Sequence, residues 1–432
     1  MHNISVFQVI FLAVFGVFLM AGFVVLAVYR GGGNVREQPI SVTVWGSLSA
    51  DAVRAAITSG VGKDTMLRIN YVQKSESTFD GDLAEAIATG RGPDIVLLRQ
   101  DSLLTNLAKI ESIPFSGYPL RDFRNGFIEE GELLLTGSGA LGLPFSIDPL
   151  VMYWNRDIFS TEGIANPPRY WDEIPSLAQR LTRRDSSNIT RSAIALGGYD
   201  NVRNAKEILS LLLLQSGSKV TVWNGAYTSV DAKLSGTSVP AGDVLAFYMQ
   251  FSDARKNVQT WGPALPGSES MFLTNRLALY LGFASEAKDL RDKSPNLNFD
   301  VSMVPQSRTG GVQATFGHLY SLSLLKTSKD KNGSLIAIKT MTSKDAISKL
   351  AATLRLPPVR RDITPPANDA LQAVFYPSGL IAKGWLDPKR TESDFIFKDM
   401  VDSVAAGFST AESAIGKVTQ QLQNLANQNL VR

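Results

Sequence analysis

Carboxylates, one usable histidine and scattered aromatics are the residues of this chain that could do chemistry. The sequence has two histidines, His2 and His318, and no cysteine. Disulfides, thiolate metal sites, cysteine nucleophiles and multi-histidine metal centres are thereby excluded, and any catalytic triad would have to use His318. His318 follows Ala314-Thr315-Phe316-Gly317, a setting that suits either a ligand contact or plain packing. Carboxylates are plentiful, so counting does not exclude a pair poised for glycoside hydrolysis, but none stands in a recognisable motif. Gly137-Ser138-Gly139-Ala140-Leu141-Gly142 has the spacing of a dinucleotide turn, which has meaning only between a strand and a helix. Pro144 follows at once and a strand is expected there, so the segment reads as a turn. No GxxxxGK[ST] loop and no HExxH pair occurs, and Asn188-Ile189-Thr190, a short glycosylation spelling, reads as loop.

The elements that must position such residues begin with Ile4 to Tyr29, an apolar run longer than the roughly 20 residues needed to span a bilayer. No Lys or Arg precedes it, unlike a secretory signal, and Gly31-Gly32-Gly33 makes a poor cleavage site, so an uncleaved anchor over 1–29 is expected, with a cleaved signal as the alternative reading. Arg30 and Arg36 follow the span. Alone they would place the globular part in the cytoplasm, yet large domains translocate largely regardless of charge. Residues 30–39, RGGGNVREQP, read as a flexible linker. A chain of 432 residues with 44% hydrophobic and 19% charged content points to two or more well-cored lobes. The formal net charge of +3 gives no basic face for nucleic acid, and Arg183-Arg184 and Arg360-Arg361 read as solvated surface.

Beyond the linker, strand-like runs (Val42 to Trp45, Leu67 to Val72, Ile95 to Leu98) alternate with amphipathic stretches (Ala52 to Ile57, Leu83 to Ala88), which predicts an α/β lobe with a largely parallel sheet. Ala205 to Leu214, Gly242 to Phe251 and Ser409 to Leu425 read as helices. Ser216 to Ser238 reads as a polar loop between the first two. In Gly139 to Ile174 a proline-bearing strand end at Leu143-Pro144-Phe145 leads to the extended run Val151 to Trp154. Asn155 and Asp157 can cap a short helix that Gly163 ends, and Trp171-Asp172-Glu173-Ile174 opens the next helix.

That stretch resembles the extracellular solute-binding proteins of ABC importers, in the sugar-binding family that includes maltose-binding protein. The matching residues are Gly142-Leu143-Pro144, Trp154-Asn155-Arg156-Asp157-Ile158-Phe159 and Pro167-Pro168-Arg169-Tyr170-Trp171-Asp172-Glu173-Ile174. Ser41 to Gly46, Gly92 to Val96, Met271 to Ala284, Val301 to Gly311 and Ser409 to Leu425 look like further family segments, in order. The resemblance implies an α/β, two-lobed periplasmic-binding-protein-like fold of type II, with three inter-lobe crossings near Leu143 to Asp148, Val301 to Pro305 and Leu354 to Pro357. Residues 40–145 and 304–355 would form lobe 1, and 146–303 and 356–432 lobe 2.

The resemblance further implies a membrane-tethered, extracytoplasmic binding subunit without enzymatic activity or cofactor. It would take a sugar or oligosaccharide in the inter-lobe cleft and pass it to permease subunits, with no nucleic acid partner. The lipid-bearing cysteine that tethers many relatives is missing, so the N-terminal helix takes that role. Sugars present C–H faces ringed by hydroxyls, which calls for flat aromatics and planar polar groups. The implied ligand-binding residues are Trp45, Ser47, Gln100, Asp101, Asp148, Trp223, Trp261, Phe283, Phe316 and Arg355; Phe283 stands where relatives often carry tryptophan. A ligand sensor on the same fold and a glycan-processing enzyme are the alternative readings.

Overall fold

The computed structural model describes residues 5–30, 39–186, 188–308, 310–364 and 368–428. Residues 31–38 of the expected linker lie outside them. The chain divides into two units, residues 1–41 with 64–68, and residues 42–63 with 69–432. The first is dominated by the helix Val6–Arg30, 25 residues long, whose apolar side chains from Val6 to Phe23 are exposed. At 1.5 Å per residue it is about 37 Å long, enough to cross a hydrocarbon core of about 30 Å. Phe11 and Phe15, one turn apart, stack on it.

The second unit is built on a sheet that runs, in spatial order, Leu67–Gln73, Ile40–Gly46, Ile95–Arg99, Thr315–Leu325, Leu143–Asn155, Leu277–Phe283, Asn188–Ile194 and Arg183–Asp185. Ile95 to Leu98 are all buried, as a central strand covered on both faces requires, and pair in parallel with the first strand through Val44 and Ile95. The helix Ala50–Val61 packs against Lys331–Met341 and Lys344–Leu354 over this end.

Two long strands join the halves. The first part of Leu143–Asn155 runs antiparallel to Thr315–Leu325, with Leu319 opposite Ile147, and its second part runs antiparallel to Leu277–Phe283, with Leu281 opposite Met152. Nearly the whole of the 143–155 strand is buried, because it lies in the middle of both half-sheets. The helices Ala205–Gln215, Ala241–Met249, Arg390–Ala405 and Ala411–Gln428 cover the second half.

Local signals fold as their chemistry dictates. Asn155 Oδ1 accepts from the Ile158 amide and starts the helix Arg156–Thr161, which Gly163 ends at φ +63°. Pro175 sits in the first turn of Ile174–Leu181.

Four expectations shift. The strand Phe299–Ser302 still pairs with Met152 to Asn155, and the Gln306 amide bonds the Arg169 carbonyl, so the second crossing lies in Thr315–Leu325 rather than at 301–305. The third also comes later. The Ile128 amide donates to the Val359 carbonyl and the Arg361 amide to the Gly126 carbonyl, which keeps the chain on the first half beyond 357. It leaves after Ala382–Lys383, which pairs with Thr315 and Phe316. The expected loop 216–238 contains an antiparallel hairpin, Val220–Trp223 with Val230–Lys233. Asn188, Ile189 and Thr190 belong to a strand rather than a loop.

Candidate functional site

Where the 40–46 and 95–99 strands end, a cleft of about 620 Å³ opens. One wall is made by Ser47, the segment Glu76 to Asp82 and the turn from Arg99 to Thr105; Lys389 to Glu392 form the opposite side. The second wall starts the 390–405 helix, which reaches the cleft because Lys206 holds the preceding loop. Lys206 Nζ lies 2.6 Å from both Asp387 Oδ2 and Ser393 Oγ, and 5.2 Å from the centre of the Trp385 ring.

Charge is arranged in pairs along these walls. Arg99 donates to Asp101 through Nε (2.8 Å) and Nη2 (2.6 Å). Burial would raise the Asp101 pKa, but the guanidinium outweighs it and holds the carboxyl at about 2. Glu76 Oε1 meets Arg99 Nη1 at 2.9 Å and Arg390 Nη1 at 2.5 Å, so one carboxylate oxygen joins the two walls.

Of the residues expected to bind ligand, Ser47 and Asp101 line this cleft. Gln100 does not: it is buried, its Nε2 donating to the Gly317 carbonyl (2.9 Å) while its Oε1 accepts from the Leu319 amide (2.7 Å). It thereby fastens the start of the 315–325 strand. Trp261 is a correction as well, being 0% exposed in the second-half core with its indole N–H on Asn201 Oδ1 at 2.9 Å, which leaves no face for a solute. Trp45 is half-buried beneath Lys74, whose Nζ lies 4.0 Å from the ring centre. Trp223 donates from its indole to the Leu133 carbonyl at 3.1 Å and leans on Tyr227. Arg355 is exposed in the left-handed region at φ +56°, closing the 344–354 helix. None of these three lines the cleft.

The remaining candidates gather where the long strands cross. Phe283 lies flat on His318, with ring centroids 4.3 Å apart and planes 23° apart, and Phe316 meets the same imidazole edge-on at 5.4 Å. Asp148, opposite His318 in the ladder, accepts from the Ser285 amide at 3.0 Å. Burial pushes the Asp148 carboxyl up to about 7, with Glu286 adding to it and the Ser285 bonds opposing it. Burial likewise drives the His318 pKa well down, and the Arg99 charge adds to that. Burial thus favours the neutral imidazole, which packs beneath Phe283. Gly317 suits this crowded spot, since a Cβ there would meet Ala382 Cβ at 2.8 Å.

Sequence reasoning missed Glu76, Arg99 and Arg390. Arg99 lies two residues before Asp101, but Glu76 and Arg390 lie 314 positions apart, with no local signal.

Two half-sheets joined by continuous strands, with a polar cleft between walls from each, define a two-lobed binding protein. A family model described as bacterial extracellular solute-binding protein matches residues 50–347, and the chain belongs to that family. Binding proteins of Brucella abortus (strain 2308) and Brucella suis biovar 1 (strain 1330) are each 23% identical over 291 residues, covering 65% of this chain and 66% of the relative, just under two thirds of its length. The fold is similar to the cyclic alpha-maltosyl-1,6-maltose binding protein from Arthrobacter globiformis (TM-score 0.73, 15% identity, 90% of this chain and 100% of that one). It is also similar to the sugar-binding protein MalE from Xanthomonas citri (TM-score 0.71, 18% identity, 90% and 98% covered).

Proposed function

We propose that this chain is the membrane-tethered substrate-binding subunit of an ABC importer, taking a carbohydrate-like solute in the cleft and delivering it to permease subunits. The observation that carries the reading is the cleft itself, walled by both halves and joined by Glu76 and Arg390. The sugar-binding relatives among the similar structures support a carbohydrate. In this reading one lobe comprises residues 40–149 with 315–383, and the other 150–314 with 384–428. Hinge closure about the two long strands then captures the solute. Asp101, locked to Arg99, and the buried Asp148 serve as hydrogen-bonding and structural groups, and the protein is a binder rather than an enzyme.

Solute binding is tested by thermal unfolding of the full chain against a library of sugars. A true ligand at about 100 times its dissociation constant stabilises the fold by roughly 2.7 kcal/mol. A library spanning neutral, acidic and amino sugars with no stabilising member would sink the carbohydrate assignment.

The apolar helix at 6–30 would hold the binding domain on the outer face of the cell membrane as a single-pass anchor. Membrane fractionation followed by N-terminal sequencing checks this. Intact protein should stay with the membrane through salt washing, whereas a soluble product beginning past the helix would show cleavage.

A further inference from the structure

The cleft carries more charge, and fewer accessible aromatic rings, than a site for neutral oligosaccharides calls for. Phe79 is the aromatic residue in its lining, and it is buried. Two guanidiniums from opposite walls converge on a single oxygen, Glu76 Oε1, at 2.9 Å from Arg99 and 2.5 Å from Arg390. We propose that Arg99 and Arg390 form an oxyanion subsite, filled here by the chain's own Glu76, which the carboxylate or phosphoryl group of an acidic sugar displaces. This rests on the solute-binding reading and narrows its substrate class.

The geometry separates a fixed receptor from an exchangeable occupant. Asp101 engages Nε and Nη2 of Arg99, which fixes the guanidinium plane and leaves Nη1 as the edge turned to Glu76. Arg390 opens the 390–405 helix, whose start is pinned by Lys206, which bonds Asp387, Ser393 and, at 3.4 Å, the Arg390 carbonyl. The Glu76 side chain is 45% exposed, against 15% for Arg99, and it follows the 67–73 strand in the segment before the helix Phe79–Ala88. Glu76 can therefore move into water while the cations stay in place.

Charge decides what replaces it. A neutral group in place of Glu76 would leave Arg390 without its carboxylate and Arg99 with Asp101 alone, whereas an oxyanion restores the charge-assisted bonds to both. Nearby acids are engaged elsewhere: Asp80 with Asn106 (2.8 Å), Asp82 with Lys74 (3.7 Å) and Glu392 with Lys389. They give a cationic solute no comparable opening.

The test uses the full chain in detergent, with acetate and inorganic phosphate as probes, each exchanged for chloride at constant ionic strength. In Glu76→Ala the unfolding midpoint should rise saturably with one of the two anions, at concentrations at least tenfold below those needed by the wild type. The rise should vanish in Glu76→Ala/Arg390→Gln. Preference for phosphate marks a phosphorylated solute, and preference for acetate a carboxylated one. No response in Glu76→Ala, or one that survives Arg390→Gln, overturns the subsite. Stabilisation by a neutral sugar without any anion response would remove the subsite and leave the solute-binding reading standing. An anion response with no sugar of any kind bound would do the reverse.

Discussion

Lys206→Met is expected to cost about 3–5 kcal/mol of folding stability, because it leaves the Asp387 carboxylate buried without its cation. Asp387 is 1% exposed and Lys206 8%, and their 2.6 Å contact is shared with Ser393 Oγ. The methionine keeps the length and much of the apolar stem, so the loss reports the charge rather than a cavity. The companion variant Lys206→Met/Asp387→Leu removes both partners and should recover much of the stability, since replacing both members of a buried pair by apolar groups is often close to neutral. Denaturant unfolding measures both. A single-variant loss below about 1 kcal/mol would mean that water reaches Asp387 and that the start of the 390–405 helix is held by something else.

Phe283→Ala carries a loss of similar size for a different reason. The ring is 6% exposed and sandwiched between the His318 face and the Phe316 edge, so truncation opens a cavity at the strand crossing. Burial of this kind corresponds to about 3–5 kcal/mol for Phe→Ala. Affinity of the surviving folded protein for a solute identified by the library should change less than about threefold, well under the 2 kcal/mol typical of a contact hot spot. Calorimetric titration beside a denaturant melt separates the two effects. Affinity weakened more than tenfold, with stability intact, would return Phe283 to the binding surface where the sequence resemblance had placed it.

Much of the architecture was legible because its signals are local. Asn155 and Gly163 announce helix ends through their own backbone chemistry, and the apolar run from Ile95 to Leu98 announces a buried strand. The family resemblance supplied the two-lobed topology, which periodicity alone does not give. The crossings were displaced because pairing partners are distant. Nothing near Val301 or Leu356 tells that Phe299–Ser302 pairs with Met152 to Asn155, or that Val359 meets Ile128.

The site was less legible for the same reason. Asp101 and Ser47 follow the ends of strands, where clefts of open sheets form, so their place in the cleft lining could be anticipated. Trp261 and Phe283 are large and aromatic wherever they lie, and whether such a ring faces solvent or core depends on what folds over it. Arg390 opens a helix whose start is gripped by Lys206, a residue far away in sequence.

The place of the 315–325 strand has a consequence for the order in which the molecule can be made. It lies between Ile95–Arg99 and Leu143–Asn155, so each lacks its neighbour on that side until residue 325 has emerged. At about 5–20 residues per second the wait is roughly ten seconds or longer, during which two apolar strands present open edges that can recruit other chains. A nascent chain of this design gains from being shielded until residue 325 is available, because the half-sheet that begins at Ile40 is completed only by a strand that emerges after most of the second half.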